Sequence, residues 1–225
     1  MKGRRRLDSN PTVDGTMWAT GRIGRRRPPV GVMAEESVPR RSHQLGAADY
    51  ALLGLLMLGS RHGYELAPYF ASDGTLGLVC TLGVSRLYAL LHALEELGLV
   101  LAESSVISGG PPRKVFSLTE AGREAFQQWL DRPIRQLRLI RQDFLLKLFF
   151  SRQLTGSDTA VLVERQVAAS RAVADELAAR AGAEAPGSFA ALVYESRLAM
   201  AHATIAWLQA ERNRGPSMPA SADLG

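Results

Sequence analysis

The sequence predicts a mostly α-helical protein with one small β-hairpin, a helical N-terminal module closed by that hairpin and followed by a second, wholly helical domain. Three observations carry the prediction. Leucines recur at three- and four-residue spacing over Val84–Leu97. A single alternating stretch, Arg113–Leu118, follows a glycine-proline turn. From Leu137 onward the chain shows helical periods and no strand-like ones.

The first 45 residues stand apart. They hold ten of the 27 Lys+Arg and four of the 22 Asp+Glu, so this tail carries +6 and the remainder −1 of the formal +5. Its arginine clusters (residues 4–6, 25–27 and 40–41) sit among Gly and Pro without any period, which predicts a disordered basic tail. Two readings stay open: an arm making sequence-independent phosphate contacts, or a functionless extension with Met33 as the start. The basic balance belongs to the tail, so bulk charge does not by itself make the body a nucleic-acid binder.

Residues 46–130 form the expected first domain. Ala47–Leu58 reads as a compact apolar helix. A short helix over Gly63–Phe70 contains Pro68, which removes a backbone donor and predicts a kink or early end. Asp73-Gly74 marks a turn. The Val84–Leu97 helix turns Leu87, Leu90, Leu91, Leu94 and Leu97 to one face, with Gly98 after it. Leu99–Val106 can be a strand, Ser108–Pro112 a turn, and Arg113–Leu118 a second strand with Phe116 and Leu118 alternating against Val115 and Ser117. Thr119 is placed to cap a helix that reaches about Leu130, before Pro133.

Residues 131–212 form the expected helical domain, with helices over about Leu137–Phe150, Asp158–Ala181 (capped by Ser157, stopped by Gly182 and Pro186) and Phe189–Glu211; residues 213–225 should fray. The last helix is apolar nearly all round, which demands cover on several sides. Val163, Val167, Leu177, Leu192, Leu198, Ile205, Trp207 and Leu208 are therefore expected to serve dimerisation in an intermolecular bundle.

Three helices followed by a two-stranded hairpin is the winged-helix order, in which the third helix enters the major groove and the hairpin reaches the flanking backbone. The face of that helix opposite the leucines offers Ser85, Arg86, Tyr88 and His92, and the hairpin carries Arg113 and Lys114 beyond its tip. These six are the expected DNA-binding residues. Arg86 can pair with guanine or phosphate, while Ser85 and Tyr88 can donate to phosphate. Taken alone, such a helix is a solvated amphipathic helix; the adjoining basic hairpin lifts the DNA reading.

The segments Tyr50-Ala51-Leu52-Leu53-Gly54-Leu55-Leu56, His62-Gly63-Tyr64-Glu65-Leu66, Leu87-Tyr88, Leu94-Glu95, Gly98-Leu99-Val100 and Pro112-Arg113-Lys114-Val115-Phe116-Ser117-Leu118-Thr119, with Gly122, resemble the PadR family of transcriptional regulators over about residues 47–130. The longer C-terminal part is similar to the subgroup with a large dimerisation domain. The resemblance implies Tyr64 and Leu66 in helix two, Tyr88 in the DNA-facing helix, and Arg113 and Lys114 in the wing. Phe116 stands where the family commonly has tyrosine. Pro68 and the basic tail also depart from the pattern. The resemblance further implies a homodimeric repressor on an inverted repeat of double-stranded DNA, released by a small aromatic effector; Trp129, Trp207, Phe144 and Tyr194 could line its pocket or simply pack.

Other classes find no support in the residues. The histidines His43, His62, His92 and His202 lack metal spacing with the single Cys80, and no catalytic triad, phosphate loop or paired acidic motif appears, so the expectation is no enzyme, no metal and no cofactor. Without an h-region or a long apolar span, a cytoplasmic protein with no membrane contact is expected. The alternative is a winged-helix protein–protein adaptor that lacks specific DNA binding.

Overall fold

Pro68 shows how local chemistry shapes the N-terminal module. In a computed structural model, which describes residues 44–105, 113–155 and 158–214, helix α2 (Gly63–Leu66) passes directly into a turn of 3-10 helix (Ala67–Phe70). The proline has no N–H to return to the preceding turn, so the tighter winding replaces the α ladder. The basic tail, the hairpin tip, Ser157 and the C-terminal tail, on which several expectations fall, lie outside the described residues, as does the side chain of Arg113.

Helix α1 (Ala47–Met57) precedes this unit and is the centre of the module: Ala51, Leu52, Leu53, Leu55 and Leu56 are buried. Helix α3 (Val84–Glu96) packs Leu87, Leu90, Leu91 and Leu94 inward as the spacing requires. Leu97, expected on the same face, is exposed because the helix has ended there and Gly98 turns the chain with φ +71°.

The sheet has three strands, not two. β1 (Arg61–His62), β2 (Val100–Ser105) and β3 (Arg113–Leu118) are antiparallel in the order β1-β3-β2. Phe116 and Leu118 point into the core, while Arg61 pairs with Phe116 and His62 with Val115. The missing tyrosine hydroxyl at Phe116 is immaterial, since the ring is fully buried. Thr119 caps α4 (Glu120–Asp131) as expected, its hydroxyl oxygen accepting the Gly122 N–H at 3.1 Å.

After Pro133 the chain winds continuously from Leu137 to Gln153, but not as one α-helix. α5 (Leu137–Leu139) leads into a π-helical segment (Ile140–Phe144) and then α6 (Leu145–Gln153). α6 serves two cores. Leu146 and Phe150 complete the N-terminal core, whereas Phe144 and Leu148 join Ile134, Ile140, Val163, Val167 and Leu208 in a second one. The first docking is close: a Cβ on Gly54 would lie 2.5 Å from the Phe150 ring, so α1 and α6 approach only because that position lacks a side chain.

α7 (Thr159–Ala183) and α8 (Phe189–Arg214) form a long hairpin, each arm roughly 38 Å at 1.5 Å per residue. The α7 cap is Asp158, which accepts the N–H groups of Ala160 and Val161 at 2.9 and 3.1 Å. The helix also runs through Gly182, the expected stop, and α8 extends to Arg214. The hairpin is fastened to the rest by polar contacts. Gln166 accepts from and donates to the backbone of Ile134, both at 2.8 Å, and Arg152 pairs with Glu211.

Candidate nucleic-acid interface

Burial of the α3 leucines leaves the opposite face of that helix to solvent, and its first turn, Val84 to Arg86, is exposed throughout. Gly83 offers no side-chain cap to the first N–H groups, Ser85 and Arg86 are exposed beside them, and the helix dipole makes this end electropositive. Ser85 and Arg86 can therefore approach an anionic groove together.

Tyr88 is half-buried. Its ring lies against the start of α2, where a Cβ on Gly63 would come within 2.6 Å of Tyr88 Cε1 and 2.8 Å of its hydroxyl. The tyrosine thus holds α2 and α3 in contact and keeps its edge at the surface. Next to it, Tyr64 is 50% exposed and stacks on His62 with ring centroids 5.3 Å apart.

His92 is exposed, but its Nδ1 lies 3.3 Å from Glu95 Oε2, and Lys114 Nζ reaches the same carboxylate oxygen at 3.9 Å. Glu95 therefore bridges the end of α3 to strand β3. His62 Nδ1 approaches the Lys114 carbonyl oxygen at 3.3 Å, adding β1 to the same junction. His92 and Lys114 thus meet His62 and Tyr64 on one side of the module, with Tyr88 against the start of α2, while Arg86 is exposed at the first turn of α3. The backbone of Arg113 continues β3 opposite Ser105. Glu95 and His62 escape sequence reasoning: β1 is two residues long, too short for a period, and an acidic residue on a DNA-facing helix argues against itself until its partners are seen.

In the helical half, Val163, Val167 and Leu208 are buried in the chain's own second core, and Trp207 packs edge-to-face on Phe144 at 6.1 Å. Leu177, Leu198 and Ile205 are half-buried along the hairpin. The outward apolar surface falls elsewhere on α8: Phe189 is 80% exposed, Leu192 60% and Met200 60%. These sit at helical spacing on one face with Ser196 and Ala203. At its end Ile140, Arg141, Leu145, Ala203, Thr204 and Trp207 line an open cleft of about 410 Å³. The four aromatic residues considered for an effector do not meet in one place: Trp129 stacks on Tyr50 in the first core, centroids 4.7 Å apart. Arg135 pairs with Glu176 at 2.6 Å. Among the described residues there is no cluster able to hold a metal ion and no helix long and apolar enough to cross a membrane.

A three-helix module with an open reading helix, a β-ribbon beside it and a helical hairpin behind is a winged-helix, DNA-binding transcriptional regulator. Residues 52–128 match the transcriptional regulator PadR-like family and residues 140–213 match the virulence activator alpha C-terminal family. Residues 52–128 thus form a domain of the PadR-like kind, a family whose members are transcriptional regulators and not enzymes. It is similar to the negative transcriptional regulator PadR of Bacillus subtilis (strain 168), 27% identical over 128 residues, covering 57% of this chain and 69% of the relative. Among solved structures it is similar to B. subtilis PadR in complex with operator DNA (24% identity, 76% of this chain and 99% of that one, TM-score 0.38) and in complex with p-coumaric acid (25%, 75% and 98%, TM-score 0.34).

Proposed function

We propose that this regulator is a repressor that binds an inverted repeat as a homodimer, with Ser85 and Arg86 of α3 reading the major groove and Lys114 and Arg113 contacting the backbone from the wing. The observation that carries this reading is an α3 whose polar face is exposed, with Ser85 and Arg86 at its first turn, and whose far end is joined by Glu95 to Lys114 of the β-ribbon. Repression is supported by the curated relative, which is a negative regulator. Tyr88 and Tyr64 contribute hydroxyls that suit phosphates, which fix register rather than sequence.

Dimerisation is supported by the exposed stripe of Phe189, Leu192 and Met200. Large apolar side chains exposed at helical spacing on one face suit an interaction surface. Two tethered modules also gain effective concentration that one lacks. Release by a small apolar effector is supported by the cleft beside Trp207, in which Arg141 can meet an anionic group.

Selection from random duplex DNA, followed by footprinting, tests the reading. An enriched inverted repeat protected on one face of the helix is expected, with sedimentation giving a dimer at micromolar concentration. A folded chain that enriches no sequence supports the adaptor alternative, and a stable monomer removes the two-module arrangement.

A further inference from the structure

Lys147 lies in α6 between Leu146 and Leu148 and is only 2% exposed. Its Nζ donates to the carbonyl oxygen of Arg132 and lies 5.0 Å from the centroid of the Trp129 ring. Trp129 in turn stacks on Tyr50 of α1 at an interplanar angle of 7°. One buried cation thus touches the end of α4 and, through the indole, the first turn of α1.

The site has a physical cause. α4 stops at Asp131 because Pro133 forces Arg132 into an extended conformation, ψ 120°. The last carbonyls of α4 then lack helical donors, and partial negative charge collects at that end. An ammonium group placed there satisfies a carbonyl, complements the dipole and faces the electron-rich indole. Asp143 supplies a further opposite charge from the π-helical segment.

Keeping a charge there is unfavourable. Burial holds the Lys147 ammonium at about 8, well below the usual 10.5. An apolar side chain of similar length would fill the space without that penalty. The apolar contacts of α6, close as Phe150 lies to Gly54, are non-directional. A directional cation at the same seam admits one angle.

We infer that Lys147 is the positioning residue that fixes α6, and with it the second core that α6 shares with the helical hairpin, on the winged helix, and so sets the spacing of the two reading helices on one duplex. This rests on the two-module reading above, and its test separates the two.

Full-length K147M and K147R are compared with the wild type on a selected two-half-site duplex and on a single half-site. Expected is a K147M that folds, binds the single half-site like the wild type, loses tenfold or more on the two-half-site duplex, and no longer discriminates half-site spacing altered by one base pair. K147R keeps the cation and recovers most of the loss. In a W18F/W207F background, Trp129 fluorescence should titrate near pH 8, and K147M should abolish that transition. The charged groups acting on Lys147 are Asp143, Asp131 and Arg132, and Asp143 in turn acts on Tyr50 and Cys80, as does Asp49. C80A removes the thiol.

K147M with wild-type affinity and spacing preference on both duplexes overturns the inference. So does an equal loss on both duplexes with a lowered urea midpoint, which makes Lys147 a packing group only. If K147M does not fold, a flat Trp129 profile in the wild type overturns it. A wild type that enriches no duplex sinks the two-module reading itself, and the inference with it.

Discussion

Lys147 makes a stability prediction with a definite sign. Its folded value of about 8 lies below the unfolded 10.5. Between those values the unfolded chain holds a proton that the folded chain has lost, so this group's contribution to stability rises with pH across that window. Below pH 8 the full penalty applies, about 3 kcal/mol at 1.36 kcal/mol per unit. K147M removes the penalty but leaves the Arg132 carbonyl without its donor, a loss of roughly 1 kcal/mol. The variant should therefore be more stable than the wild type by about 2 kcal/mol at pH 7 and less stable by about 1 kcal/mol near pH 10.5. Urea unfolding of both proteins at half-unit steps reads this directly. The difference matters more than either curve alone, because burial also raises Cys80 and Tyr50, and those groups make stability fall with rising pH above 9 and 10. A wild-type-minus-variant difference that stays flat from pH 7 to 10 would refute the reasoning, since the ammonium would then feel no penalty inside the fold.

Arg86→Ala should weaken operator binding by roughly 1–3 kcal/mol, or about ten- to a hundredfold, with specificity relaxed at one base pair; unchanged affinity in a titration removes Arg86 from the interface. Phe150→Ala empties the space against Gly54 and Phe126 at the seam of the two cores, and should destabilise by about 3–5 kcal/mol in urea unfolding. Leu192→Glu combined with Met200→Glu should give a folded monomer by sedimentation equilibrium, because charges on the exposed α8 stripe oppose any apolar association; an unchanged dimer places the contact elsewhere.

Much of the DNA-binding module was legible in the sequence because its signals are redundant. The leucines of α3, the alternation of β3 and the hydroxyl of Thr119 each specify an element locally, and each agrees with its neighbours. What stayed hidden depends on distant partners. β1 exists only because Arg61 and His62 lie opposite Phe116 and Val115. The π-helical segment follows from packing rather than from any residue preference. Lys147 between two leucines reads as a solvated position until Arg132 and Trp129 close over it. Glu95 likewise gains its role only once His92 and Lys114 stand beside it. In the helical half the apolar excess of α8 was visible, but not its division. Val163, Val167 and Leu208 meet inside the chain, and the face carrying Phe189, Leu192 and Met200 turns outward.

If an effector binds the cleft as proposed, the placement of α6 decides how its binding reaches the DNA-facing helix. Ile140 and Leu145 line the cleft beside Trp207, while Lys147, two residues further on, grips the end of α4. Leu146 and Phe150 enter the core that also holds the α3 leucines. Packed interiors move as units rather than deforming smoothly. An effector that shifts this segment would therefore carry α4 and the reading helix with it. Its power to do so equals its preference for one docking angle over the other, about 1.4 kcal/mol for each tenfold change in occupancy. A ligand bound equally well in both angles would fill the cleft and leave the operator occupied. The directional contact of Lys147 makes such a preference attainable: an angle that breaks the Arg132 bond leaves a buried ammonium without its acceptor, and is disfavoured for that reason.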